Sequence, residues 1–156
     1  MLTPIDKRLR RCALAHTPPF TPTNTAVVGL FNNTTGPHLI VVWDFSVNAA
    51  SETVAQGYYF LKGPLTETDG AGVSVVTDEA TAIGLAQHDD LSSIPTTVYD
   101  YDNFAEPNAN PQSFPLAILK PGWTCVFVCS ATATAWGGTF YYEWFHPDKL
   151  VEWELP

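Results

Sequence analysis

The chain has 156 residues and a formal net charge of −9, with 46% hydrophobic, 13% aromatic and only 15% charged residues. This length fits one domain that can bury a core without disulfide staples, and so low a charge content suggests a surface partly covered by partners. The acidic sum excludes a body that binds nucleic acid or anionic membrane, and any such contact is left to the N-terminus. Lys7, Arg8, Arg10 and Arg11 are opposed there only by Asp6, giving +3 over residues 1–11, whereas residues 12–156 carry three basic against fifteen acidic residues, giving −12.

Residues 1–24 combine this basic run with Thr17-Pro18-Pro19-Phe20-Thr21-Pro22-Thr23, which cannot hold a helix and runs extended. The expectation is an N-terminal arm over 1–24, laid on a neighbouring chain and binding it through Lys7, Arg8, Arg10, Arg11, Leu14 and Phe20, followed by a single domain over 25–156. Only Cys12-Ala13-Leu14-Ala15 separates the basic residues from the prolines, too short for the apolar region of a secretory signal.

Thr25 to Phe31 is an apolar strand, and Asn32 to Pro37 a turn leading to a strong strand over Leu39 to Val47; the two read as a hairpin. Alternation puts Leu39, Val41, Trp43, Phe45 and Val47 on one inward face. Val54 to Lys62 is a further strand, Thr68 to Gly72 a flexible turn, and Val73 to Thr77 a short strand. Asp78 to Gln87 is alanine-containing and suits a turn or two of helix capped by Asp78. Thr96 to Tyr101 is a strand, and Asn103 to Ser113 a surface loop.

Leu116 to Trp144 is the most strand-like stretch. After the Pro121-Gly122 turn, Trp123, Cys125, Phe127 and Cys129 share one face and Thr124, Val126 and Val128 the other; both are apolar, so cover is expected on both sides, from a second sheet and from a loop or another subunit. Gly137-Gly138 leads into a second strand, with Phe140, Tyr142 and Trp144 on one face and Thr139, Tyr141 and Glu143 on the other, and the two strands read as a hairpin. The run from Lys120 to Glu143 lacks charge between its ends, but Pro121, its glycines and its threonines argue against a membrane helix. The sum is an all-β chain, a jelly-roll-like β-sandwich of about eight strands.

No chemistry is spelled out. Cys125 and Cys129, four apart on one strand, lie about 13 Å apart and cannot be bridged; with Cys12 they read as reduced thiols. Asp100, Asp102, Asn103 and Glu106 lack the spacing of a calcium loop, and His88-Asp89-Asp90 reads as an exposed loop. His16, His38, His88 and His146 are scattered, and neither a G-x-S-x-G turn nor a phosphate-cradling glycine loop occurs. No catalytic residue, metal ligand or cofactor is expected, and the chain reads as a non-enzymatic protein. The tryptophans and tyrosines leave a carbohydrate-binding face as an alternative, although most fall on inward strand faces.

Ile118-Leu119-Lys120-Pro121-Gly122-Trp123, followed by an apolar strand, a small-residue segment and Phe140-Tyr141-Tyr142-Glu143-Trp144, resembles the C-terminal part of small β-sandwich virion proteins of tailed bacteriophages. The resemblance covers about 30 residues, with a weaker match at Pro37 to Ala49. It implies a virion structural protein assembled in the host cytoplasm, foremost a capsid decoration (cement) protein anchored to the shell by its arm, and otherwise a neck, tail or head-fibre component or a receptor-recognition module. The implied partners are the major capsid protein or neighbouring structural subunits and further copies of the chain, as a trimer or ring; membrane and nucleic acid are not expected partners.

Overall fold

The computed structural model describes residues 11–49, 55–74, 80–93, 99–100, 117–129 and 134–149. They form ten strands, β1 (Cys12–Phe20), β2 (Thr25–Asn32), β3 (Leu39–Ala49), β4 (Ala55–Lys62), β5 (Glu67–Ser74), β6 (Ala80–Leu91), β7 (Tyr99–Asp100), β8 (Ala117–Leu119), β9 (Trp123–Cys129) and β10 (Trp136–Phe145), with a 3-10 turn at Pro147–Lys149. All pairings are antiparallel, in the order β7-β4-β9-β2-β6-β5-β1-β10-β3-β8. The sheet curls so that β3 and β10 face β9 and β2 across one core. Phe45 stacks on Phe127 at 4.1 Å and on Phe140 at 4.6 Å between ring centroids. The architecture is the expected jelly-roll-like β-sandwich, with more strands than the sequence announces.

Two-sided cover of β9 is as the alternation requires. Cys125, Phe127 and Cys129 enter the central core with Val28, Phe45 and Phe140, while Val126 and Val128 join Val27, Tyr59 and Leu65 in a second cluster on the outer face. Leu65 belongs to the link between β4 and β5, so a loop of the same chain contributes the second cover. Its amide donates to the buried side-chain oxygen of Gln87 at 2.9 Å, and Gln87 Nε2 donates to Thr68 Oγ1 at 3.1 Å. A buried amide satisfied at both ends is a strong local tie.

Neither expected hairpin forms. β2 pairs with β6 and β9, β3 with β10 and β8, so the Asn32 to Pro37 turn crosses between the two halves of the sandwich. Buried Asn32 fixes this crossing by donating its Nδ2 to the carbonyls of His38 and Leu119, each at 3.0 Å. Likewise β9 and β10 face each other across the core, with Phe127 and Phe140 5.7 Å apart.

The inward face of β3 is also corrected. Tyr141 pairs with Asp44 and Tyr142 with Val42, which leaves Trp43 as the extra residue of a bulge. A one-residue bulge reverses the facing of everything beyond it. Ile40 and Val42 therefore point into the core before the bulge and Phe45 after it, whereas Trp43 is only part-buried and faces out. The side chain of Val47 lies outside the described residues.

The helix expected over Asp78 to Gln87 is replaced from Ala80 onward by β6, and the expected turn at Thr68 to Gly72 lies within β5. Pairing of β6 on both sides, to β2 and β5, overrides the weak helical preference of three alanines. Gly137 and Gly138 lie inside β10. A Cβ on Gly137 would come within 2.6 Å of the Thr17 carbonyl oxygen, and one on Gly138 would meet the Phe45 ring, so glycine makes room for the crossing of strand and ring.

The largest correction concerns the arm. Cys12–Phe20 is extended, but it pairs with β10 from Cys12↔Glu143 to Thr17↔Gly138 and with β5 at Ala13 and Leu14. It is an interior strand of its own domain, so the division at residue 24 does not hold. Pro18 and Pro19, which lack an amide hydrogen, fall at the irregularity between Thr17 and Phe20, where the ladder with β10 is interrupted.

Two outcomes follow. Truncating Phe127 to Ala is expected to cost about 3–5 kcal/mol in urea unfolding, because the ring contacts Phe45 from the opposite half of the sheet. Deleting residues 1–20 is expected to abolish cooperative melting in circular dichroism, since it removes an interior strand; a sharp transition would show β1 to be dispensable.

Candidate functional site

Ala13 and Ala15 face the core, so Leu14 and His16 face out. Leu14 pairs with Val73 of β5 on one side and with Tyr141 of β10 on the other. The three form a row across adjacent strands and are 36%, 37% and 40% exposed. Strand spacing makes the row about 10 Å from end to end. Asp44 of β3 stands opposite Tyr141, and its Oδ1 accepts from the amide of Phe45 at 2.8 Å.

Polar groups border the row along the strands. On one side His16 Nδ1 lies 3.1 Å from Thr139 Oγ1. On the other, Glu143 is fully buried. Trp43 Nε1 donates to its Oε2 at 3.2 Å, and Arg11 Nη2 lies 3.7 Å from its Oε1. The Arg11 guanidinium sits 5.0 Å over the Phe145 ring. A buried carboxylate requires such compensation, and removal of its cation would leave an uncompensated charge.

The residues assigned to partner binding therefore separate. Lys7, Arg8 and Arg10 lie outside the described residues. Arg11 is engaged with Glu143 and Phe145 of its own chain, and Phe20 is part-buried against its own core, 4.2 Å from the His88 ring. Leu14 alone of the described ones faces outward. Val73 and Tyr141 were not singled out, because only the strand register places them beside Leu14.

His88-Asp89-Asp90 is the end of β6, not a loop. Alternation sends the three side chains to different partners: His88 Nδ1 to Asp69 Oδ1 at 2.8 Å, Asp89 Oδ2 to the Thr66 hydroxyl at 2.6 Å, and Asp90 to the amides of Thr23 and Asn24 at 2.7 and 2.8 Å. They tie the start of β5 and the β1–β2 turn to β6. The carboxylates at Asp102 and Glu106, with Asn103, lie outside the described residues, as does the side chain of Asp100. Among the described residues no three His, Cys, Asp or Glu side chains are grouped to hold a metal, and no helix is long and apolar enough to cross a membrane.

Cys125 and Cys129 are free and buried. Burial pushes the Cys129 thiol up to about 12 and the Cys125 thiol higher still, so both stay protonated and unreactive. Burial, with the charge of Asp89 second, also raises the Tyr59 hydroxyl.

No protein-family model matches the sequence, and neither a curated protein nor a solved structure matches it.

The Thr23 amide, with that of Asn24, holds the Asp90 carboxyl below its ordinary value of 3.8. A depressed folded value contributes stability that is present above the unfolded value and is lost as pH falls through the folded one. Asp90→Asn is therefore expected to flatten the loss of urea stability as pH falls below about 4. An unchanged acid limb would remove Asp90 from that role.

Proposed function

We propose that this chain is a non-enzymatic structural subunit of a bacteriophage particle, a capsid decoration (cement) protein whose sandwich seats on neighbouring virion proteins. The observation that carries the assembly role is the exposed row Val73, Leu14, Tyr141. Single exposed apolar side chains are ordinary on any surface, but three in register on adjacent interior strands make one contiguous patch. In sequence the basic residues at positions 7, 8 and 10 precede β1, and their charge adds attraction to an acidic receiving surface.

Placement in a virion rests on the resemblance at Ile118 to Trp123 and Phe140 to Trp144. The first stretch is the end of β8 and the turn into β9, with Gly122 at a φ of 76°, and the second is half of β10, so the likeness lies in the scaffold and shares only Tyr141 with the exposed row. A sugar face is the weaker reading. A ring that stacks on a pyranose needs hydroxyl-binding groups beside it, and the immediate neighbours of Tyr141 along the row are aliphatic on one side, with an amide-bonded carboxylate on the other.

The experiment is immunogold labelling of purified particles with antibody to this chain. Gold spread over the head is expected. Gold confined to the neck or tail would move the subunit there, and particles free of label would overturn the virion role.

A further inference from the structure

We infer that β1 is an exchangeable strand: Asp90 latches it into its own sheet, and once released it takes the same place between β5 and β10 of a second copy of this chain. The inference goes beyond the virion reading and does not depend on it. Residues 21–24 join β1 to β2, and Asp90 of β6 holds that connection by accepting from the amides of Thr23 and Asn24 at 2.7 and 2.8 Å. Both bonds are exposed, so the latch can open without disturbing the core. β1 itself is lightly anchored. Its ladder with β5 covers Ala13 and Leu14, and its ladder with β10 is interrupted between Thr17 and Phe20. The side chains it buries fully are the small ones of Ala13, Ala15 and Thr17, so departure exposes little apolar surface of its own.

The vacated slot selects its occupant. Without β1 the facing edges of β5 and β10 lose their ladder partner, and such edges take up a strand. That strand must be small on its inward side. Tyr142 of β10 reaches across β1 to lie against Gly72 of β5 and Gly84 of β6, and the β1 residue in register with it is Ala13. Phe140, in the central ring cluster, is likewise in register with Ala15. A strand with bulky residues at these two positions would collide with the rings, whereas the β1 of a second copy carries both alanines in the required register by identity. Reciprocal exchange then restores every contact of β1 in both sheets and closes a two-fold dimer. The closed and exchanged forms differ only at residues 21–24, which is where Asp90 acts.

The full chain with Leu14→Cys and Tyr141→Cys, in a Cys12→Ser background, reads the exchange directly. These positions are exposed partners across the β1–β10 ladder, within disulfide reach. Oxidation links a closed monomer to itself but joins the two chains of an exchanged dimer, which then migrate together in a denaturing gel without reductant. Refolding at about 100 µM protomer is expected to give joined chains, and at about 1 µM self-linked ones. Adding Asp90→Ala is expected to lower the concentration at which half the chains are joined about tenfold. Asp90→Asn, which keeps one acceptor oxygen, should shift it less in the same direction. Asp89→Ala removes the same charge one residue away, where the carboxylate bonds Thr66 instead of the turn, and should leave it unchanged. Chains self-linked at every concentration, an Asp90→Ala chain no different from its parent, or an equal response to Asp89→Ala would each overturn the exchange. So would joining through Leu14→Cys alone, which would show outer faces meeting. Particle labelling does not depend on exchange, so failure here leaves the virion role to its own experiment.

Discussion

The fold depends on the contact of three phenylalanines from opposite halves of one sheet. Phe45 of β3 lies against Phe127 of β9 and Phe140 of β10, with Tyr58 of β4 6.0 Å from Phe127. Stacked and tilted ring pairs at these distances add specific geometry to the burial of large apolar surface. Several local irregularities serve this contact. The bulge at Trp43 turns Phe45 inward, and Gly138 leaves the space its ring occupies. Tyr142 uses the same device further along β10, where its ring lies over Gly72 of β5 and Gly84 of β6 and leaves no room for a Cβ at either position.

Around that centre, polar side chains organise the links that alternation cannot. Gln87 holds the Leu65 loop over β2, and Asn32 holds the crossing between the halves. Glu143 is the exception in kind, a carboxylate on the outer face of β10, closed in by Trp43 and Arg11. Its pairing with Arg11 compensates one charge at the border of the exposed row, whose β3 end still carries Asp44.

Much of this was legible in the sequence where one strand alone decided the answer. The alternation of Trp123 to Cys129 gave both clusters correctly, and the strands at Thr25, Leu39 and Val54 begin within a residue of their expected places. Pairing was not legible. Turn signals at Asn32 to Pro37 and at Gly137-Gly138 suggested local return, but a turn residue records only that the chain bends, not which strand it then meets. Trp43 shows a second limit, since a bulge is set by the partner strand and one extra residue inverts a face. The row was hidden for the same reason: Leu14, Val73 and Tyr141 are distant in sequence and meet only through register. The prolines of residues 17–23 did indicate an extended backbone, but extension alone does not say whose sheet a strand joins.

One feature of the topology bears on how the chain is made. The first of the described strands, β1, closes against β10, and contacts such as His16 with Thr139 join residues 123 positions apart. On a ribosome, β1 emerges long before its ladder partner β10. Until β10 emerges, the edge of β1 that pairs with it has no native cover, and such edges recruit other chains. Among the described strands only β5 and β6 are neighbours both in sequence and in the sheet, so little native pairing between them can form early. Closure of the sheet is thereby deferred until β10 has been made, and the yield of soluble protein should depend on how long the nascent chain is shielded until then.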